Sequence, residues 1–276
     1  MQCLQFIQDP QINYYSGMLH LSIITINFNN FNGLTKTLQS VSDQIYDKFE
    51  YIVIDGGSTD GSAEILKNSK FSKLQFVSEK DTGIYNAMNK GLKLAKGRYC
   101  LFLNSGDYLV NRNTLYEVFS DIDKEDIICG DILIEKDNKL VPGSQVPSKL
   151  TLEFLLYSGL PHPATFIKRS MLIASQGYKE EFRIISDWLF IISSIILRNA
   201  TFKHIPNFIS VYDTTGISSK PENIELISKE GKLAIKEILP DIVSSQLEDY
   251  SKEVMEYRKL KNNFFLKMII KFLIQK

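Results

Sequence analysis

Three clusters of small polar and acidic residues each stand at the end of an apolar run. Asn27-Phe28-Asn29 follows Leu19–Ile26, Asp55 follows Tyr51–Ile54, and Asn104-Ser105-Gly106-Asp107 follows Leu101-Phe102-Leu103. These residue types suit a nucleotide. An aromatic ring beside a short polar side chain can stack a base, and a carboxylate at a neighbouring strand end can accept a hydrogen bond from a base imide N–H. Each cluster also has a plainer reading: Phe28 as a core residue, and Asp55-Gly-Gly-Ser-Thr-Asp60 as a turn followed by a helix cap. Their joint occurrence at successive strand ends favours the nucleotide. No GxxxxGK[ST] is present and no GxGxxG follows the first run, which argues against a phosphate-cradling ATPase or a dinucleotide dehydrogenase.

Stepping outward, strands and helices must alternate to bring these clusters together. Leu19–Ile26 is β-branched and stops at the turn-rich Asn27–Gly33, the mark of a strand ending in a loop. Leu34, Leu38 and Val41 recur at helical spacing. Tyr51–Asp55 is expected as the second strand, a helix follows around Ala63 and Leu66, and Leu74–Ser78 is a third strand. A helix over Ile84–Lys96 then feeds a strand over Tyr99–Leu103. Such alternation predicts a mostly parallel sheet with helices on both faces, with ligands bound outside the carboxyl ends of its strands.

Beyond Asn111 the pattern shifts. We expect a helix over Thr114–Phe119, a strand over Asp126–Asp131, a hairpin around Lys136–Lys139, and a helix near Thr151–Tyr157. A Pro-flanked turn at Pro161-His162-Pro163 precedes a strand over Ala164–Lys168. Ser186 is placed as the cap of a helix with Asp187 in its first turn, and Phe202–Tyr212 is extended. Residues 221–262 read as charged amphipathic helices interrupted at Pro240. The organisation expected is a leader over 1–18, a nucleotide-binding half over 19–110, a second half of the same domain over 111–219, and a helical tail over 220–276.

The composition, 44% hydrophobic and 23% charged over 276 residues, is that of a folded soluble chain. Lys+Arg and Asp+Glu both number 32, so no global field marks a nucleic-acid binder. Cys3, Cys100 and Cys129 read as free thiols of a reducing compartment rather than a disulfide or metal site. Neither a signal peptide nor a run long enough to span a bilayer is seen, and a cytoplasmic location is expected.

The residues from about 21 to 108 resemble the nucleotide-sugar domain of a family 2 glycosyltransferase of the GT-A fold. The resemblance rests on Ser22-Ile-Ile-Thr-Ile-Asn-Phe-Asn29, Val53-Ile-Asp-Gly-Gly-Ser-Thr-Asp-Gly61, Asp81-Thr-Gly-Ile-Tyr-Asn-Ala-Met-Asn-Lys-Gly91 and Phe102-Leu-Asn-Ser-Gly-Asp107. Fainter echoes in His162–Phe166, Ser186–Phe190 and Tyr212–Ser218 resemble bacterial enzymes that build surface polysaccharide or lipopolysaccharide. The resemblance implies that Phe28 and Asp55 hold the base, that Asn27 and Asn29 stand beside them in the nucleotide site, and that Asp81 lines the nucleotide pocket. It further implies that Asn104 meets the ribose and that His162 touches diphosphate or acceptor, unless it is a structural histidine of the turn. The family commonly offers acidic side chains at the first and third positions of its Asp-x-Asp element. This chain has Asn104 and Gly106 there, which leaves Asp107 as the ligand of a divalent cation, Mg²⁺ or Mn²⁺. Asp187 matches the family's catalytic base, with a helix-dipole role as the alternative. Tyr212-Asp213 is a candidate strand end near the diphosphate.

The resemblance thus implies an inverting hexosyl- or N-acetylhexosaminyl-transferase that moves a sugar from a nucleotide-diphosphate donor, UDP-linked, to a hydroxyl of a lipid-linked saccharide. Two other classes are weighed against it. A nucleotidyltransferase would carry a basic, Gly-rich loop after the first strand, where Asn27–Gly33 has no Lys or Arg. A non-catalytic nucleotide-sugar-binding subunit would fit the reduced acidic turn. Residues 252–276 carry seven Lys/Arg against two Glu, and within them Asn263–Lys276 shows an apolar surface with a narrow cationic stripe. That pattern suits a helix lying on anionic lipid at the inner face of the plasma membrane, or else one docked on protein, including a second copy of the chain in a homo-oligomer.

Overall fold

The structure, a computed structural model, describes residues 19–120, 124–240, 243–244 and 246. The chain divides into two units, 1–224 and 225–276. In the first, β1 (Leu21–Asn27), α1 (Phe31–Ser42), β2 (Phe49–Asp55), α2 (Ser62–Lys67), β3 (Leu74–Ser78), α3 (Ile84–Leu94) and β4 (Tyr99–Phe102) alternate strand and helix. There follow β5 (Tyr108–Leu109), α4 (Thr114–Phe119), β6 (Ile127–Lys136), β7 (Lys139–Pro142), α5 (Leu152–Tyr157) and β8 (Thr165–Lys168). The unit continues through α6 (Arg169–Ala174), α7 (Ser186–Arg198) and β9 (Phe202–Tyr212). The second unit contains most of α8 (Ile224–Ile238).

Among the described residues nine strands form one sheet, in the order β3-β2-β1-β4-β8-β6-β9-β5, with β7 paired to β6. The first four are parallel. β8 runs antiparallel to both β4 and β6, β6 is parallel to β9, and β5 is antiparallel to β9. Successive side chains of a strand point to opposite faces, and here both faces are apolar. Ile23, Tyr51, Val53 and Leu101 pack with Leu34 of α1, Leu66 of α2 and Leu115 of α4. Ile24, Ile52, Ile54 and Phe102 pack on the other side with Met88 of α3, Leu172 of α6 and Phe190 of α7. Burial on both sides explains why these strands read as continuous apolar runs.

Several local expectations change. The strand and hairpin arm expected from Asp126 onward are one ten-residue strand, β6. Ser186 is not the cap of α7: Ile185 takes that position, and the Ser186 hydroxyl, buried in the first turn, has no hydrogen-bond partner. Thr151 does cap α5, accepting from Phe154 N. Cys100 and Cys129 are buried free thiols. The expected leader, Cys3 and the amphipathic stretch Asn263–Lys276 lie outside the described residues. Among the described residues no helix is long and apolar enough to cross a membrane.

Candidate active site

Parallel pairing sets the register Asn27↔Asp55, so the first two clusters meet at one sheet edge. Asp55 is fully buried. It accepts hydrogen bonds from Asn27 Nδ2 (2.8 Å), Ser58 Oγ (2.5 Å), Ser58 N (3.0 Å) and Ser78 Oγ (2.7 Å). Burial pushes its carboxyl up, but the bonds from Ser58, Ser78 and Asn27 outweigh this and hold it below its ordinary value. Asp55 is therefore an internal brace. Asn29 also braces: in a left-handed conformation (φ 48°) it accepts from Thr59 N (2.9 Å) through Oδ1. Phe28, by contrast, is 66% exposed, which removes the core reading of that residue.

A Cβ added to Gly56 would lie 2.6 Å from Asp81 Oδ2 and 3.2 Å from the Phe28 ring. The bare Gly56 backbone thus lets the Asp81 carboxylate approach where a side chain would otherwise stand, beside an exposed aromatic. Asp81 Oδ1 accepts from Gly83 N (3.0 Å). These three residues form a spot with a stacking ring and a carboxylate oxygen side by side.

The third cluster sits at the neighbouring strand end, tied to β1 by Ser105 N→Ile26 O (3.1 Å). Its turn is gripped by the buried Thr37 hydroxyl on α1, which accepts from Gly106 N (3.0 Å) and lies 2.7 Å from Asp107 O, to which it donates. Gly106 has φ +111°, a region L side chains rarely adopt, and a Cβ there would collide with Asp213 Oδ2. Asp213, at the end of β9, donates its N–H to Asp107 Oδ1 (2.8 Å). Burial, with the neighbouring Asp213 carboxylate adding, pushes Asp107 up to about 7 against the bond from Asp213 N. Asn104 Oδ1, also buried, has no hydrogen-bond partner.

Asp187 lies in the first turn of α7. Tyr85 of α3 donates its hydroxyl toward Asp187 Oδ1 (2.7 Å), and the Ile184 carbonyl lies 2.5 Å from the same hydroxyl. Two further residues of that helix hold the loop leading to Asp187. Asn89 clasps the Tyr178 backbone on both sides, donating to its O and accepting from its N at 2.8 Å each, and Asn86 and Asn89 both donate to Glu180. Asp187 and His162 share the lining of a cavity of about 30 Å³ with Phe102, Tyr178 and Trp188. His162 stacks on Phe102 with ring centroids 6.2 Å apart. Burial lowers its pKa, Asp187 opposing, and its Nε2 has no hydrogen-bond partner. Phe102 ends β4 and the Asn104 turn begins two residues later, so Asp187, His162 and the acidic turn converge on one strand end.

Comparison with known proteins fits this geometry. The model for glycosyl transferase family 2 matches residues 22–175. The chain belongs to glycosyl transferase family 2. It is 30% identical over 210 residues to an uncharacterized glycosyltransferase of Mycobacterium tuberculosis, covering 73% of this chain and 78% of that protein. A PGL/p-HBAD biosynthesis glycosyltransferase of the same organism is 32% identical over 176 residues, 61% of this chain and 67% of that one. Among solved structures, Staphylococcus aureus TarS 1–349 in complex with UDP-GlcNAc superposes with a TM-score of 0.63 at 23% identity, covering 82% of this chain and 70% of that chain. That likeness shows the GT-A fold of this transferase.

The carboxylates that lie together here, Asp107 and Asp213, are the oxygen donors the site would offer a divalent cation. Among the described residues no group of three or more His, Cys, Asp or Glu is arranged as a metal site. Two carboxylates still fit a hard cation whose remaining positions go to diphosphate oxygens and water. A carboxyl raised by burial, with a second carboxylate adding, is also a group that a cation would relieve. Thr37, Tyr85, Asn86 and Asn89 escaped the sequence reading. A signal was there for the last three, which recur on one turn of helix within the Ile84–Gly91 run.

Proposed function

We propose that this transferase moves a sugar, with inversion, from a UDP-sugar to a hydroxyl of a lipid-linked saccharide in cell-surface polysaccharide or lipopolysaccharide synthesis, at the inner face of the plasma membrane. The convergence of Asp187 with the Asn104–Asp107 turn at the end of β4 carries the reading. An in-line displacement needs a base on the side of the acceptor and charge neutralisation on the side of the leaving diphosphate.

In this reading Phe28 stacks the base and Asp81 accepts from its imide N–H, with Asp55, Asn27 and Asn29 holding the walls. Asn104 turns its unpartnered oxygen to the ribose. Asp107 and Asp213 hold Mg²⁺ or Mn²⁺, which when bound neutralises the departing nucleoside diphosphate. Asp187 takes the acceptor hydroxyl's proton as the acceptor oxygen attacks the anomeric carbon and the bond to the diphosphate breaks. His162, kept neutral by burial, faces the acceptor side. The UDP-GlcNAc bound by TarS supports a uridine donor, and the PGL/p-HBAD biosynthesis relative supports a lipid-linked acceptor.

The test is Asp187→Asn. Turnover should fall by roughly 10²–10⁴ while UDP-sugar affinity, measured calorimetrically, stays within about twofold. Unchanged turnover would return Asp187 to a helix-dipole role.

A further inference from the structure

The hydroxyl of Tyr85 stands within hydrogen-bond reach of two acceptors, Asp187 Oδ1 and the Ile184 carbonyl. A phenol has one proton. It cannot serve both, and the choice depends on the state of Asp187. An ionised carboxylate is the stronger acceptor, since a bond to a charged group is worth about twice a neutral one. Once the carboxylate takes a proton that advantage is gone, and the Ile184 carbonyl competes on equal terms.

We propose that Tyr85 is a positioning residue for the proposed base: its hydroxyl donates to Asp187 Oδ1 while the carboxylate is ionised, and swings to the Ile184 carbonyl when Asp187 has accepted the proton of the acceptor hydroxyl. The proton count balances. Asp187 gains the acceptor's proton, the phenol proton changes partner without leaving its oxygen, and the tyrosine stays neutral throughout. The inference rests on the reading of Asp187 as base and adds the group that orients its carboxylate.

Of the titratable groups around Asp187, His162 reaches it from the Pro-flanked turn and Tyr178 from the loop, and both are pushed by burial toward their neutral forms. Tyr85 comes from α3, and burial together with the Asp187 charge holds its hydroxyl well above the ordinary phenol range. It therefore remains a donor at any working pH. On the loop, Glu180 is held by Asn86 and Asn89, Lys179 lies 3.8 Å from Glu181, and Arg183 is exposed. Tyr85 donates to the Asp187 carboxylate from α3. Its ring is fixed against Tyr178, with centroids 5.7 Å apart, so replacing the hydroxyl by hydrogen leaves the packing in place.

Tyr85→Phe tests this with two readouts. In the protein labelled with ¹³C at aspartate carboxyls, the Asp187 signal, assigned by its loss in Asp187→Asn, should titrate about one pH unit higher than in the wild type. The acid limb of the kcat profile should move up by the same amount, so that turnover drops about tenfold on that limb and recovers at higher pH, while UDP affinity stays unchanged and reports an intact fold. An Asp187 midpoint that does not move in Tyr85→Phe overturns the inference. A midpoint that moves while the acid limb stays in place leaves the hold of Tyr85 on Asp187 standing and overturns Asp187 as the base.

Discussion

At two positions a glycine stands beside a carboxylate supplied from far along the chain. Gly56 admits Asp81, and Gly106 admits Asp213. The second case places a pair of carboxylates at the site proposed for the cation, one of them nearly removed from water. Desolvation favours the protonated form, so Asp107, raised to about 7, binds a proton through much of the acidic range. The folded pKa lies above the ordinary 3.8. Asp107 therefore lends stability that is complete below that ordinary value and lost as pH climbs through about 7. A cation must displace that proton. Mn²⁺ affinity, measured by calorimetry in the presence of UDP, should weaken about tenfold per pH unit from about 7 down to about 5. Asp107→Asn should flatten this slope and nearly abolish transfer, yet leave nucleoside monophosphate binding in place. A slope retained in Asp107→Asn would assign the proton elsewhere.

Helix α1 reaches the same site through the Thr37 hydroxyl. Thr37 is fully buried and satisfies both Gly106 N and Asp107 O, so it fixes the turn that aims Asp107. Thr37→Val keeps the shape and strands two backbone groups in the interior, at about 1–3 kcal/mol. Urea unfolding should show that loss, and Mn²⁺–UDP should bind more weakly than to the wild type. Unchanged stability would mean that the turn holds without α1. Little in the sequence points to Thr37, because a threonine on a helical stripe looks the same whether or not a turn from another strand lies against it. What was legible follows a physical line. The strands buried on both faces announce themselves as apolar runs, and their ends mark the sheet edge that collects Phe28, Asp55 and Asn104–Asp107. Short elements without a full period, such as β5 and α6, leave no such trace. The Asp107–Asp213 contact spans 106 residues and depends on β9 returning beside β5, and no local pattern records it. Ser186 misled for a related reason: a serine before an apolar run signals a cap, but the chain enters α7 one residue earlier.

For the whole molecule, the proposed lipid-linked acceptor must come to the strand ends where the donor is proposed to bind. Among the described residues no helix is long and apolar enough to cross a membrane. The sequence of Asn263–Lys276, outside the described residues, offers the means. Lys267 and Lys271 fall four apart within a run that contains Phe264, Phe265, Leu266, Ile269, Ile270, Phe272, Leu273 and Ile274. An apolar run with interspersed Lys suits the headgroup boundary better than water. Each Lys near an anionic surface adds about 1 kcal/mol, so losing both should weaken binding about thirtyfold and reversing them should weaken it further. Lys267→Glu with Lys271→Glu should accordingly reduce co-sedimentation with phosphatidylglycerol-containing liposomes and slow transfer to a lipid-linked acceptor. Transfer to a short soluble acceptor should be nearly unchanged, because the strand-end residues are untouched. Added salt should reproduce the loss in the wild type, since screening acts on the same charges. Equal co-sedimentation of the variant and the wild type would remove the membrane from the account and assign the segment to docking against protein.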